Sequence, residues 1–165
     1  MRRRALLLLL LAATGCGYSL RGGLPPHIKT IGIPVFVNKT GEPAVEDFMT
    51  RAVVDAFVTS GQLKVVAPKD ADAILEGEVV GYRIESLSFD PRANVREYRL
   101  LVTLNLGFRD ARTNVLLWRE EGLQEKADFR VPGQVATTIS REETAVRRAA
   151  VDIGRSIVNL AVDRF

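Results

Sequence analysis

Cysteine and histidine are almost absent from this sequence, since its 165 residues include one of each. A single cysteine cannot form a disulfide within the chain, and a single histidine lacks the partners that a His-based metal site or a nucleophilic triad needs. His27 follows two prolines, which is typical of a solvated loop residue. Neither a P-loop nor a G-x-G-x-x-G pattern occurs, so no nucleotide site is indicated. We therefore expect a protein that is not an enzyme and has no metal or cofactor.

Glu76 and Glu78 are the remaining candidates for acid–base chemistry. They lie two residues apart on a predicted strand, so both point to one face and could act as a pair. Cross-strand pairing with arginines explains them as well, and it is the interpretation we prefer.

Long apolar runs are also scarce. The only one, residues 5–13, follows three arginines, which is the layout of a secretory signal peptide. No run of 18 apolar residues comes later, so we predict no transmembrane helix. Three of the 23 Lys and Arg residues lie in this leader, and the other 20 balance 20 Asp and Glu. The remaining chain is neutral, so we expect no nucleic-acid partner.

Residues 11–16 (LAATGC) resemble the lipobox of bacterial lipoproteins, with Ala13 in place of the usual leucine. This resemblance implies that Cys16 becomes the first mature residue and carries covalent lipid, which would anchor the protein to a membrane. Because Gly17 is not aspartate, the resemblance further implies the periplasmic side of the outer membrane. The alternative is an ordinary signal peptide with an unrelated cysteine. We divide the chain into a signal peptide (1–15), a lipidated tether (16–27) and one periplasmic α+β domain (28–165).

Residues 28–37 (IKTIGIPVFV) are rich in β-branched residues and predict a strand. Pro34 cannot donate to a ladder, so this strand should lie at an edge or contain a bulge. One face would hold Ile31, Ile33, Val35 and Val37. Apolar residues at three-four spacing then predict a helix from Pro43 to about Ser60, ended by Gly61. A short strand over residues 63–66 completes a β-α-β unit.

Residues 73–124 predict long antiparallel strands. A break in the alternation beside Gly81 indicates a bulge, and the clearest alternation belongs to residues 97–109. We place the last strand at 115–124, a loop at 127–138 and a second amphipathic helix that ends near Asp163. The order β-α-β-β-β-β-α predicts an α+β two-layer sandwich, with two helices packed on one face of a mixed, mainly antiparallel four- to five-stranded sheet.

Two groups of basic residues stand out in this layout. Arg92, Arg96 and Arg99 surround the turn at 88–94, and Lys126, Arg130 and Arg141 surround the loop before the last helix. Arginine forks match phosphate geometry, so either group could bind an anionic lipid headgroup. The alternative is a solvated β face with ordinary ion pairs to Glu85, Glu97 and Glu121.

Two segments carry a resemblance to a known family. Residues 16–22 (CGYSLRG) are close to the C-G-[YW]-x-L-R start of the LptE family, and residues 97–105 (EYRLLVTLN) match its E-Y-x-x-x-x-T-x-x strand. The element order agrees along the mature chain. The sequence therefore resembles LptE, the lipoprotein partner of the outer-membrane lipopolysaccharide translocon.

This resemblance implies a plug inside the lumen of an LptD-type β-barrel that assists barrel assembly and binds lipopolysaccharide. The family's contacts with lipid A phosphates would fall to Arg92 and Arg96, and to Arg130 or Arg141. The turn with Asp90 and Pro91 departs from the family pattern.

A second resemblance stays open. Residues 31–38, followed by a Gly-Glu-Pro turn and a helix, also resemble lipoproteins of the CsgG and penicillin-binding-protein-activator type. Those proteins act in secretion or regulate peptidoglycan synthesis.

Overall fold

The computed structural model describes residues 24–130 and 138–163. It has the predicted α+β architecture, with two helices on one face of a mixed sheet. The elements are β1 (Thr30–Gly32), β2 (Val37–Asn38), α1 (Val45–Ser60), β3 (Lys64–Val65), a 3-10 turn (Pro68–Asp70), β4 (Ala73–Phe89), β5 (Val95–Asp110), β6 (Leu116–Arg130) and α2 (Thr138–Asp163). The sheet has the order β3-β1-β4-β5-β6, and β2 pairs with β4 beside β1.

The β-α-β unit is confirmed. Strands β1 and β3 are parallel, and α1 connects them. Helix α1 ends where predicted, because Gly61 adopts a left-handed φ of 64° and donates its backbone N–H to the Phe57 carbonyl. This C-terminal cap suits glycine, which has no Cβ to clash. The buried side of α1 contains Val45, Met49, Ala52, Val53, Ala56 and Phe57.

The single strand predicted over residues 28–37 is wrong, because the chain forms two short strands with an irregular link around Pro34. In this link Phe36 is buried, while Val35 and Val37 are exposed. The Phe36 backbone N–H donates to the Thr50 hydroxyl on α1 rather than to a strand. The Phe36 ring fills the space above Gly77, where a Cβ would come within 2.7 Å of the ring. Packing of the Phe36 ring therefore overrides the buried–exposed alternation predicted for this strand.

Strands β4, β5 and β6 form an antiparallel sheet with a long hairpin. The predicted bulge is confirmed, since Val79 pairs with Leu104 and Gly81 with Thr103, which leaves Val80 as the extra residue. The alternation of β5 is also confirmed. Its helix-facing side buries Leu100, Val102, Leu104, Leu106 and Phe108.

Strand β6 continues to Arg130, so the prediction of a loop is wrong for residues 127–130. Ala127 and Phe129 are buried against the helix side, and Asp128 points to the opposite face. The Phe129 ring stacks on Tyr98 with ring centroids 5.4 Å apart. This alternation supports a strand, and it places Arg130 opposite Glu97.

Helix α2 packs along α1 and on β6. Gly154 permits the close approach of the helices, because a Cβ there would lie 2.5 Å from the Ala52 carbonyl oxygen. The two helices cover the first half of β4 more fully than its second half, whose residues are half-buried or exposed. We call residues 81–89, 95–103 and 124–130 the distal blade.

Candidate functional site

The candidate site is the β4–β5 turn at the end of the distal blade. Asp90 organises this turn by accepting hydrogen bonds from the backbone N–H groups of Arg92 (2.8 Å) and Asn94 (2.9 Å). The Asn94 amide also donates to the Asp90 carboxylate. Hydrogen bonds from Asn94, assisted by the Arg92 backbone and the charge of Arg96, lower the pKa of Asp90 despite its desolvation. The turn is therefore held by an ionised carboxylate.

Three of the four predicted lipopolysaccharide-binding residues come together at this end of the sheet. Arg92 lies in the turn, Arg96 follows it, and Arg130 pairs in register with Glu97. Arg96 contacts Asp90 at 3.3 Å, and Arg130 contacts Glu97 at 3.2 Å. Among the described residues, the exposed Arg92 side chain makes no hydrogen bond or ion pair. The three guanidinium groups and two carboxylates leave this cluster with a formal charge of +1.

The arginines of this basic cluster are open to solvent, whereas their carboxylate partners are more buried. The side chains of Arg96 and Arg130 are 62% and 80% exposed, and those of Asp90 and Glu97 are 10% and 30% exposed. A guanidinium has five N–H donors, so an incoming phosphate could contact either arginine from the solvent side while its carboxylate stays in place. The cross-strand pairing that we weighed as the alternative is present here for Arg130, and it does not block an anionic ligand.

Arg99 belongs to a different arrangement on the uncovered face of the sheet. Its Nε and Nη2 atoms donate to the two oxygens of Asp128 at 2.6 and 2.8 Å. This bidentate bond lowers the pKa of Asp128 and raises that of Arg99. The Arg99 side chain is therefore already paired with a carboxylate within the sheet, whereas the Arg92 side chain is not.

Two predicted sites lie outside the described side chains. These are the lipidation site Cys16 and the basic residue Arg141. Glu76 and Glu78 make cross-strand contacts, as the preferred interpretation predicted. Arg109 lies 3.7 Å from Glu76, and the Asn105 amide donates to Glu78 at 3.2 Å.

The expectation that His27 is merely solvated is wrong. Its Nε2 atom lies 2.7 Å from the Asp110 carboxylate, although the two residues are 83 positions apart. Asp110 is 4% exposed and also accepts from the backbone N–H groups of Arg112 and Thr113. Burial alone would raise the pKa of Asp110, but these hydrogen bonds together lower it.

A second carboxylate, Asp72, fixes the same end of the sheet. One of its oxygens accepts from the backbone N–H of Lys29 and from both the backbone N–H and the hydroxyl of Thr30. Its other oxygen accepts from Arg112. The Lys29 and Thr30 bonds are the main cause of a pKa of about 2 for Asp72. We call His27, Thr30, Asp72, Asp110 and Arg112 the N-terminal clasp.

The described residues contain no cluster of three or more His, Cys, Asp and Glu side chains that could hold a metal ion. Within that same part of the chain, no helix combines the length and apolar character that crossing a membrane requires.

The sequence of residues 28–160 matches the family of lipopolysaccharide-assembly proteins, LptE. The chain belongs to the LptE family. The match includes the strand segment 97–105 on which the resemblance rested, and it favours LptE over the CsgG and penicillin-binding-protein-activator types. No curated protein matches the chain by sequence.

Solved structures share the fold of this LptE member at low identity. The hypothetical protein CT253 from Chlamydia trachomatis has a TM-score of 0.55 at 10% identity, covering 81% of this chain and 95% of its own. Protein XCC0632 from Xanthomonas campestris has a TM-score of 0.53 at 12% identity, covering 84% of this chain and 88% of its own. At these identities the likeness shows the fold alone.

Proposed function

We propose that the protein is a lipid-anchored outer-membrane component of lipopolysaccharide assembly. In this role it occupies the lumen of an LptD-type β-barrel, helps that barrel to assemble, and binds lipopolysaccharide through the basic cluster. The observation that supports this proposal most is the family match over residues 28–160. It is reinforced by the position of Arg92, Arg96 and Arg130 at one exposed end of the sheet.

The chemistry of the basic cluster fits phosphate groups. Guanidinium groups bind phosphate oxygens with paired N–H donors, and the Arg92 side chain is available without breaking an ion pair. Neutrality of the chain after residue 15 means that attraction for an anion must be local, and the turn supplies it. Salt should weaken such binding, because the charges are exposed.

The barrel partner is tested by a detergent pull-down of the tagged, full-length protein. We expect one large outer-membrane β-barrel in about equal amount. Recovery of a peptidoglycan synthase, or of the protein alone as a ring, would instead support the CsgG or penicillin-binding-protein-activator type and overturn the proposal.

The lipid site is tested with Arg92→Glu combined with Arg96→Glu. Binding of purified lipopolysaccharide to the protein in detergent should fall at least tenfold at matched salt. Lys64→Glu with Lys69→Glu is the control, because it changes the net charge equally at two exposed lysines outside the blade. Equal affinities for the two double variants would remove the basic cluster as the site.

The anchor is tested with Cys16→Ala. We expect a soluble or uncleaved precursor that no longer incorporates labelled fatty acid. Unchanged labelling would show that Cys16 is not the lipidated residue.

A further inference from the structure

The blade tip, which we define as residues 89–96, exposes an aromatic side chain. Phe89 is the last residue of β4 and is 61% exposed. Within the described ranges 24–130 and 138–163 it is the only exposed aromatic residue. The sheet register places it opposite Val95, the first residue of β5. A single exposed ring is not unusual, so its importance depends on the groups around it.

The arginines of the basic cluster adjoin this apolar pair. Arg92 follows Phe89 by three residues, and Arg96 directly follows Val95. Consecutive Cα atoms are about 3.8 Å apart, so the Cα atoms of Phe89 and Arg92 lie at most about 11 Å apart. The headgroup layer on each side of a bilayer is about 5 to 8 Å thick. The two side chains can therefore reach the acyl chain and the phosphate of the same lipid molecule.

The turn leaves no backbone N–H donor of residues 90–94 without a partner. The N–H of Asp90 donates to the Asn94 carbonyl and that of Ala93 to the Asp90 carbonyl, both at 2.9 Å. The N–H groups of Arg92 and Asn94 donate to the Asp90 carboxylate, and Pro91 has no N–H. An acyl chain that displaces water from this turn therefore uncovers no unsatisfied N–H group, which would otherwise cost free energy.

The β5–β6 turn at the other end of the sheet is an internal comparison. It also has an arginine, Arg112, and an exposed apolar residue, Val115. Arg112 donates to Asp72 at 2.9 Å and is part of the clasp, whereas Arg92 has no carboxylate partner among the described residues. Aromatic residues beside arginines are typical of segments that bind at the boundary between headgroups and acyl chains. The blade tip has this combination, and the β5–β6 turn does not.

We propose that the blade tip binds a phosphorylated lipid where its phosphate adjoins its acyl chains. Phe89 contacts an acyl chain, and Arg92 and Arg96 contact the phosphate. This inference rests on the proposed function, because it takes the basic cluster as the phosphate site. It goes further by assigning the acyl part of the ligand to a residue and by restricting the ligand class to acylated phosphates. A free phosphate or a soluble sugar phosphate would contact the arginines alone and bind more weakly.

The first test compares lipopolysaccharide with the same molecule after alkaline removal of its acyl chains, which keeps its phosphates. Both are titrated against the full-length protein at one detergent and one salt concentration. The parent should bind the acylated form at least tenfold more tightly. Phe89→Ser should lower that affinity at least fivefold and change the affinity for the deacylated form less than twofold. Equal losses for the two forms, or no loss for either, would overturn the inference.

Val115→Ser is the matched control, because Val115 is 55% exposed at the other end of the sheet. It should change either affinity less than twofold. A loss for the acylated form as large as that of Phe89→Ser would mean that exposed apolar residues act without regard to position, and would also overturn the inference.

Arg92→Glu with Arg96→Glu separates failure of this inference from failure of the proposed function. It should lower the affinity for both forms, because both carry the phosphates. A loss in this variant without a loss in Phe89→Ser would remove the acyl contact and leave the phosphate site in place. Unchanged affinities in the arginine variant would remove the phosphate site and the inference with it.

A second measurement reports the environment of position 89 directly. Phe89→Trp keeps an aromatic ring, and its fluorescence is read against the parent, whose only tryptophan, Trp118, is buried. The emission of the new tryptophan should shift to shorter wavelength with acylated lipopolysaccharide and not with the deacylated form. Equal shifts with the two forms, or no shift with either, would overturn the inference.

Discussion

The N-terminal clasp and the basic cluster both combine basic residues with aspartates, yet they differ in whether every basic side chain has a carboxylate partner. In the clasp, His27 contacts Asp110 and Arg112 donates to Asp72. In the basic cluster, Arg96 and Arg130 have one carboxylate partner each, while the Arg92 side chain has none among the described residues. The clasp thus fixes the chain at one end of the sheet, and the cluster keeps one guanidinium available for a ligand at the other. A basic side chain without a carboxylate partner is what distinguishes the binding end from the structural end.

The largest expected effect compares two leucines on β4. Leu75 is fully buried, whereas Leu87 is 38% exposed in the distal blade. Leu75→Ala should lower the free energy of unfolding by about 3 kcal/mol, because it leaves a cavity in the core. Leu87→Ala should cost about 0.5 kcal/mol or less. Urea denaturation of both variants measures the difference, and similar losses would mean that the blade is as tightly packed as the core.

An intermediate effect should follow Asp72→Asn, and it should depend on pH. The pKa of Asp72 is about 2 in the folded protein and about 3.9 in an unfolded chain. The ionised carboxylate therefore stabilises the fold above about pH 4, and this contribution disappears as pH falls through about 2. We expect the variant to have a lower Tm than the parent at pH 7 and a smaller deficit near pH 2.

Asp70→Asn is the control for this measurement, because Asp70 is an exposed acid two residues away. A Tm deficit for Asp72→Asn that does not change with pH would assign the effect to lost hydrogen-bond geometry rather than to charge.

The smallest expected effect concerns the turn of the distal blade. Ala93 adopts a left-handed φ of 62°, a conformation that costs a residue with a Cβ more than it costs glycine. Ala93→Gly should raise the free energy of unfolding by about 0.5 kcal/mol, since relief of this strain is partly offset by the greater freedom of glycine in the unfolded chain. Thermal unfolding checks the sign. A lower Tm would indicate that the hydrogen bonds of Asp90 already compensate for the strain.

Local patterns predicted much of the fold because they reflect local physics. The alternation of β5 follows from one buried and one open face, and Gly61 ends α1 because its φ requires glycine. The bulge after Val79 was visible as a change of phase. Arg92 lies in one turn and Arg96 follows it, so their proximity needed no knowledge of tertiary structure.

The wrong predictions concern residues whose structure depends on contacts with distant parts of the chain. Phe36 turns inward because Gly77, 41 positions later, leaves room for its ring. His27 looked solvated because its partner Asp110 lies on another part of the chain. The extension of β6 to Arg130 depends on Tyr98 and Glu97 of the neighbouring strand. No pattern within a few residues encodes such contacts.

The length of β5 sets the distance between the two ends of the sheet. Its 16 residues run from the turn of the basic cluster to the clasp, and a rise of about 3.4 Å per residue makes this distance up to about 50 Å. The hydrocarbon core of a bilayer is about 30 Å thick. The turn that holds Arg92 and the clasp at the chain's entry to the domain can therefore lie farther apart than that core is thick.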